Sequence, residues 1–93
     1  MVQIIIESMM EKLGNLESLG IVQSDPVDYQ SFSMADAETD RNIAQRIARE
    51  ELLERAGTAG ADYLILRPFN SNSGCVTGRE QAVGEMYRIK KDN

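Results

Sequence analysis

The sequence has 93 residues, of which 42% are hydrophobic and 27% charged, and its formal net charge at pH 7 is −5. This composition predicts a single globular domain over residues 1–93 and is too apolar for a disordered chain. The only basic cluster is Arg88, Lys90 and Lys91. Because nucleic-acid binding usually depends on clustered Lys and Arg, the acidic balance argues against a nucleic-acid partner.

Reactive residue types are scarce in this sequence, which has no His and one Cys. The lack of His excludes Ser-His-Asp and Cys-His catalysis and His-containing zinc sites. No apolar stretch approaches the roughly 20 residues that span a bilayer, and the N-terminus lacks a basic leader. We therefore expect a cytoplasmic protein, or a periplasmic one whose leader has been removed, that has no cofactor and is not an enzyme.

The first third of the chain predicts two strands. Residues 2–7 are rich in β-branched side chains and indicate a strand, although helical spacing of apolar residues over 6–16 also fits a helix. The apolar residues within 16–22 predict a second strand, which ends at the turn-forming residues 24–26. The polar segment 27–34 is either a loop or an irregular edge strand.

A long helix is the clearest predicted element. It begins between Ser33 and Thr39, because Ser33 and Asp36 resemble a capping pair, and it ends at Gly57 and Gly60. Apolar residues recur in it at spacings of three and four, which predicts that all of them lie in the core: Ile43, Ala44, Ile47, Ala48, Leu52 and Ala56.

The last third of the chain predicts a hairpin. Residues 61–67 form a nearly continuous apolar run, typical of a central strand, and Pro68 marks its end. A flexible connection over 70–78 leads to an alternating strand over 81–90. The expected fold is α+β: one long amphipathic helix packed on a mainly antiparallel sheet of about 3–5 strands, in the order β-β-α-β-β.

The apolar content of these strands predicts surplus surface. Residues 4–6, residues 64–66 and the C-terminal strand offer more apolar area than one helix covers. Sheet edges or an open sheet face would then associate with other copies of the chain. A homo-oligomer or a complex with a protein partner is therefore the leading expectation.

An alternative function is the binding of a small ligand or a metal ion by the 70–79 loop and the acidic segment 25–40. The loop supplies polar side chains and a thiol, but it lacks the lysine and following helix of a phosphate-binding loop. The acidic segment lacks the spacing of a calcium-binding EF-hand loop. The candidate loop residues are Asn70, Asn72, Cys75, Thr77 and Arg79.

Three segments resemble a recurring pattern in small bacterial domains. They are the helix-to-strand step 59–62 (Ala-Gly-Ala-Asp), residues 19–22 (Leu-Gly-Ile-Val) and residues 84–89 (Gly-Glu-Met-Tyr-Arg-Ile). The YbjQ-like family and the related RcsF-like envelope proteins look similar, and the BhsA/YdgH-like stress proteins do so more weakly. The resemblance implies one long helix on an antiparallel sheet, often assembled into rings, with no established activity. This chain lacks the disulfide cysteines and lipoprotein leader of the RcsF-like pattern, and no functional residue carries over.

Overall fold

The structure, a computed structural model, describes residues 1–90. Its elements in chain order are β1 (Gln3–Ile5), a single 3-10 turn (Glu7–Met9), α1 (Met10–Leu13), β2 (Leu16–Gln23), β3 (Val27–Gln30), α2 (Met34–Thr58), β4 (Tyr63–Ser73) and β5 (Thr77–Ile89). The two predictions for the N-terminal segment were therefore each right in part, because a strand comes first and a short helix follows it.

The five strands form one mixed sheet with the order β1-β4-β5-β2. The pair β1–β4 is parallel, and the pairs β4–β5, β2–β5 and β3–β5 are antiparallel. Strands β2 and β3 lie end to end along the same side of β5, where β2 pairs with its C-terminal half and β3 with its N-terminal half. The predicted α+β class is confirmed. Of the two alternatives for residues 27–34, a loop or an edge strand, the structure shows an edge strand, β3.

Helix α2 begins and ends where the sequence predicted. The Oγ atom of Ser33 accepts a hydrogen bond from the backbone N–H of Asp36 at 3.4 Å, which caps the N-terminus. At the other end Gly60 has a φ of +86°, a conformation that glycine adopts without strain. The capping pair and the stop at Gly60 are therefore confirmed, whereas Gly57 lies within the helix.

The face of α2 that packs on the sheet is narrower than predicted. It consists of Ala44, Ala48, Leu52 and Ala56, all buried. Ile43 and Ile47 remain 41% and 47% exposed, so the prediction that they belong to the core was wrong. Each precedes a buried alanine by one residue, so its side chain points about 100° away from that alanine around the helix axis. This direction leads to the edge of the sheet that β3 forms.

The main core lies between α2 and the sheet. Leu52, Leu64 and Ala82 are fully buried in it, with Met86 beside them. Residues 6–15 connect the two outer strands β1 and β2 and so must cross one face of the sheet. Glu7 Oε1 lies 3.7 Å from Arg67 Nη2, on the face opposite α2, which shows where this segment crosses.

Strand β4 does not end at Pro68, and the predicted flexible connection over 70–78 was also wrong. The strand continues to Ser73, and its pairing with β5 shifts register between Arg67 and Asn70. Such an irregularity accommodates a proline, because it leaves a position without a ladder hydrogen bond. The true loop is only residues 74–76, closed by the Gly74 N–H, which donates to the carbonyl oxygen of Thr77 at 2.7 Å.

The molecule is elongated, with principal extents of 57 × 24 × 18 Å. Its radius of gyration is 15.5 Å, whereas about 12 Å is typical of a compact chain of this length. The length follows from β5, whose 13 residues extend about 43 Å. We call residues 27–31 and 70–80, at one end of the sheet, the arm, and the rest of the sheet with the C-terminal half of α2 the body.

Candidate functional site

A row of polar side chains crosses the arm on the face opposite α2. In the register of the strands, Arg79 on β5 lies between Asp28 on β3 and Asn72 on β4. The guanidinium of Arg79 donates to both carboxylate oxygens of Asp28, at 2.5 and 3.2 Å. The Arg79 hydrogen bond holds the pKa of the Asp28 carboxyl below its ordinary value of 3.8. With Gln30 and Thr77, this row lines an open groove of about 560 Å³.

A second groove of about 340 Å³ adjoins the first and contains Asn70. The Asn70 amide donates to Gln81 Oε1 at 3.1 Å, and Phe69 and Pro26 form the apolar part of the wall. Asn72 and Arg79 border both grooves. Four of the five predicted site residues thus lie together on a hydrogen-bonded sheet surface rather than on a flexible loop.

The fifth predicted site residue, Cys75, lies apart from the other four. It is exposed in the loop at the tip of the arm and lines neither groove. The structure therefore gives the thiol no part in the polar surface that Asn72, Thr77 and Arg79 form.

Sequence reasoning missed a buried carboxyl group on the α2 side of the arm. Glu80 is fully buried, and its Oε1 accepts a hydrogen bond from Gln45 Nε2 at 3.1 Å. Its second oxygen accepts from the hydroxyl of Ser71. The alternation of the C-terminal strand carried the signal, because Glu80 shares its parity with the buried Ala82 and Met86.

The acidic segment 25–40 does not gather into one site. Asp25 pairs with Arg55 at 2.9 Å, Asp40 accepts from Ser31 at 2.6 Å, and Asp36 lies at the cap of α2. Within residues 1–90, no three Asp, Glu or Cys side chains converge on a point that could hold a metal ion.

A half-buried polar network lies on the body, on the face opposite α2. Arg67 Nη2 donates to Glu85 Oε1 at 2.7 Å, and the hydroxyl of Tyr87 donates to Glu85 Oε2 at 2.7 Å. The hydrogen bond from Tyr87, followed by that from Arg67, lowers the pKa of Glu85 below its ordinary value of 4.5. The same hydrogen bond raises the pKa of Tyr87. The network ties together neighbouring strands and, through Glu7, the segment that crosses them.

The same face carries exposed apolar side chains, which we call the open face. Ile21 on β2 and Ile89 on β5 are 58% and 51% exposed. Ile6 and Met9, on the segment that crosses this face, are 64% and 37% exposed. Isolated apolar residues are normal on a protein surface, but several on one face are typical of an interaction site.

No protein-family model, curated protein or solved structure matches this chain. Within residues 1–90, none of the helices combines the length and the apolar character that crossing a membrane requires.

Proposed function

We propose that this protein is a non-enzymatic interaction domain that associates with copies of itself through the open face. The observation that carries the proposal is the exposure of Ile21 and Ile89 on the face that the segment with Ile6 and Met9 crosses. The side chains of the first two stand on a rigid sheet, so little conformational entropy would be lost when a partner covers them.

The total surface area leaves room for an interface between copies of the chain. The chain exposes 6286 Å², whereas a compact folded monomer of 10.4 kDa exposes about 5,400 Å². The excess of roughly 900 Å² is close to the area of about 800 Å² that each partner contributes to a standard interface. The elongated shape also contributes to this excess, so the area is compatible with an interface but does not locate it.

The mass in solution tests this proposal. We expect light scattering after size exclusion to show a multimer whose fraction increases with protein concentration. The double variant Ile21→Thr/Ile89→Thr keeps β-branched side chains and should shift the protein to the 10.4 kDa monomer. Ile4→Thr is the matched control, because Ile4 is a 40% exposed strand residue on the α2 side of the sheet. A wild-type monomer at every concentration, or equal dissociation by the control, would contradict the proposal.

The polar groove on the arm favours a second candidate function, the binding of a small polar ligand. Asn72, Thr77 and Arg79 offer amide, hydroxyl and guanidinium groups on a sheet that other strands hold in place. A thermal-shift screen of polar metabolites tests it, because a ligand at about 100 times its Kd should stabilise the fold by roughly 2.7 kcal/mol. Arg79→Gln should abolish the shift, and a shift that persists in this variant would place the ligand elsewhere.

A further inference from the structure

Residues 1–13, which we call the strap, contain β1 and α1 and lie partly on the open face. Ile5 of the strap pairs in register with Ile65 of β4, and both side chains are buried on this face. Glu7 lies 3.7 Å from Arg67 on the same face. Because β1 and β2 are on opposite sides of the central strands, the chain passes over β4 and β5 to reach β2. The strap therefore already occupies part of the surface that self-association would cover.

The strap buries little of its own surface. Ile5 is its buried residue, Val2, Met10 and Leu13 are half-buried, and its other residues are exposed. Three residue pairs join β1 to β4. The ion pair that Glu7 forms is weak support, because the Glu7 side chain is 72% exposed. A segment with so few buried contacts separates from the sheet at a small cost in free energy.

A short hinge joins the strap to β2. Only residues 14–15 lie between α1 and β2, and the Asn15 carbonyl accepts a hydrogen bond from the Lys90 N–H at 2.9 Å. The chain therefore turns at Gly14, whose φ of +81° is one that L side chains rarely adopt. No atom lies within 4 Å of a Cβ built on Gly14, so the backbone bend alone requires glycine there. Short, strained hinges favour exchange of the attached segment between copies, because the hinge extends in the exchanged form.

The hinge lies next to the exposed isoleucines of the open face. Leu16, the first residue of β2, pairs in register with Ile89, which is 51% exposed. A two-fold dimer whose axis passes near Ile89 would bring the two hinges together. Each strap would then reach the sheet of the other copy and form there the same contacts that it forms with its own sheet.

We propose that two copies of this chain exchange their straps when they associate through the open face. The β1 strand of each copy pairs with β4 of the other, and Ile5 packs against the partner's Ile65. This inference rests on the proposed self-association and adds that each sheet is completed by a strand from the second copy. Association through the open face does not itself require the exchange, so the two are tested separately.

Disulfide crosslinking distinguishes a closed strap from an exchanged one. Gln3→Cys/Tyr63→Cys places two cysteines at paired positions of β1 and β4, and Cys75→Ser removes the native thiol. Oxidation links a closed chain to itself and joins two chains that have exchanged straps. Denaturing electrophoresis without a reductant separates the 10.4 kDa chain from the covalent dimer. We expect the dimer at concentrations where light scattering shows a multimer. Each single-cysteine variant controls for chance crosslinks between chains.

Variants of the hinge test the same inference without relying on one cysteine pair. Gly14→Ala strains the closed hinge and should raise the ratio of covalent dimer to internally linked chain by about tenfold. Gly60→Ala is the matched control, because Gly60 has a similar φ of +86° and open space around it but lies at the end of α2. It should leave the ratio unchanged. Insertion of Gly-Ser-Gly after Gly14 relaxes the hinge and should favour the closed chain.

The outcomes separate the exchange from the association. Internal disulfides alone, in a protein that light scattering shows to be a multimer, would overturn the exchange and leave association through the open face in place. A monomer with internal disulfides at every concentration would contradict both. Equal effects of Gly14→Ala and Gly60→Ala on the ratio would also overturn the exchange, because the hinge would then not control it.

Discussion

The body and the arm belong to one sheet, which packs on one helix. Different side chains fill the space between the sheet and the helix in the two regions. In the body, Leu52 and Leu64 are fully buried, and Met86 is nearly so. In the arm, the buried side chains include Ser31 and Glu80, and each forms a hydrogen bond with a neighbouring element. Apolar burial therefore stabilises one end of the sheet, and paired polar groups stabilise the other.

This difference shows why a polar sequence can form regular structure. A buried polar group costs free energy when it is unpaired, but little when a partner is in place. Helix α2 and the arm supply these partners, because Gln45 of α2 and Ser71 of β4 both reach Glu80. Within residues 1–90, no buried side-chain nitrogen or oxygen lacks a hydrogen-bond partner.

The largest expected effect is in the body. Leu52→Ala should lower the free energy of unfolding by about 3 kcal/mol, because it removes a fully buried side chain and leaves a cavity. Leu53→Ala is the matched control on the same helix, at a half-buried position, and should cost about 1 kcal/mol. Urea denaturation measures both. Similar losses for the two variants would show that the core is less localised than the structure indicates.

The second largest expected effect is in the polar packing of the arm. Glu80→Ala should cost about 2 kcal/mol, because Gln45 and Ser71 would each lose a buried acceptor. Glu80→Gln keeps an oxygen acceptor and nearly the same volume, so it should cost less than the alanine variant. Urea denaturation measures the two losses, and hydrogen exchange at Ser71 and Glu80 locates them. Wild-type stability of Glu80→Ala would show that apolar contacts suffice to hold the arm.

The smallest expected effect is a loss of stability at acidic pH, to which carboxyl groups in both the arm and the body contribute. Arg79 lowers the pKa of Asp28 in the arm, and Arg88 lowers that of Glu17 in the body. The pKa values of these two carboxyl groups are lower in the folded state than in the unfolded state. The ionised groups therefore stabilise the fold at pH values above the unfolded-state pKa. The contribution is lost as the pH falls through the folded values, from about pH 4 downwards.

Tyr87→Phe provides a control for this acid dependence. It removes the hydroxyl that lowers the pKa of Glu85 and should shift the titration of that carboxyl towards its ordinary value, while leaving Asp28 unchanged. Carboxyl ¹³C shifts followed by NMR from pH 7 to pH 2 report each group separately. An unshifted Glu85 in this variant would show that Arg67 alone determines its pKa.

Structural features that depend on local sequence patterns were predicted well. The spacing of Ala44, Ala48 and Leu52 predicted the helix and most of its buried face. The capping role of Ser33 and the stop at Gly60 also depend only on neighbours in the chain. The run over 61–67 predicted a central strand, and β4 does lie between β1 and β5.

The predictions that were wrong depend on contacts between distant residues. Asn70–Ser73 looks like a loop by composition, but it is part of β4 because β5 and β3 extend the sheet beside it. Ile43 and Ile47 fit a core pattern but lie outside the core, because none of the strands within residues 1–90 follows β3 on that side. Four of the predicted site residues lie on one surface of the sheet instead of in a loop, and Cys75 lies apart from them.

The sequence by itself determined the secondary structure that arises within a turn or two of chain: the helix, its ends and the most apolar strands. Tertiary structure decided which edges of the sheet stay unpaired, which isoleucines stay exposed, and that Glu80 is buried with partners. The physical reason is that helix periodicity and capping act over a few residues. Burial and pairing depend on the position of elements that are far apart in the chain.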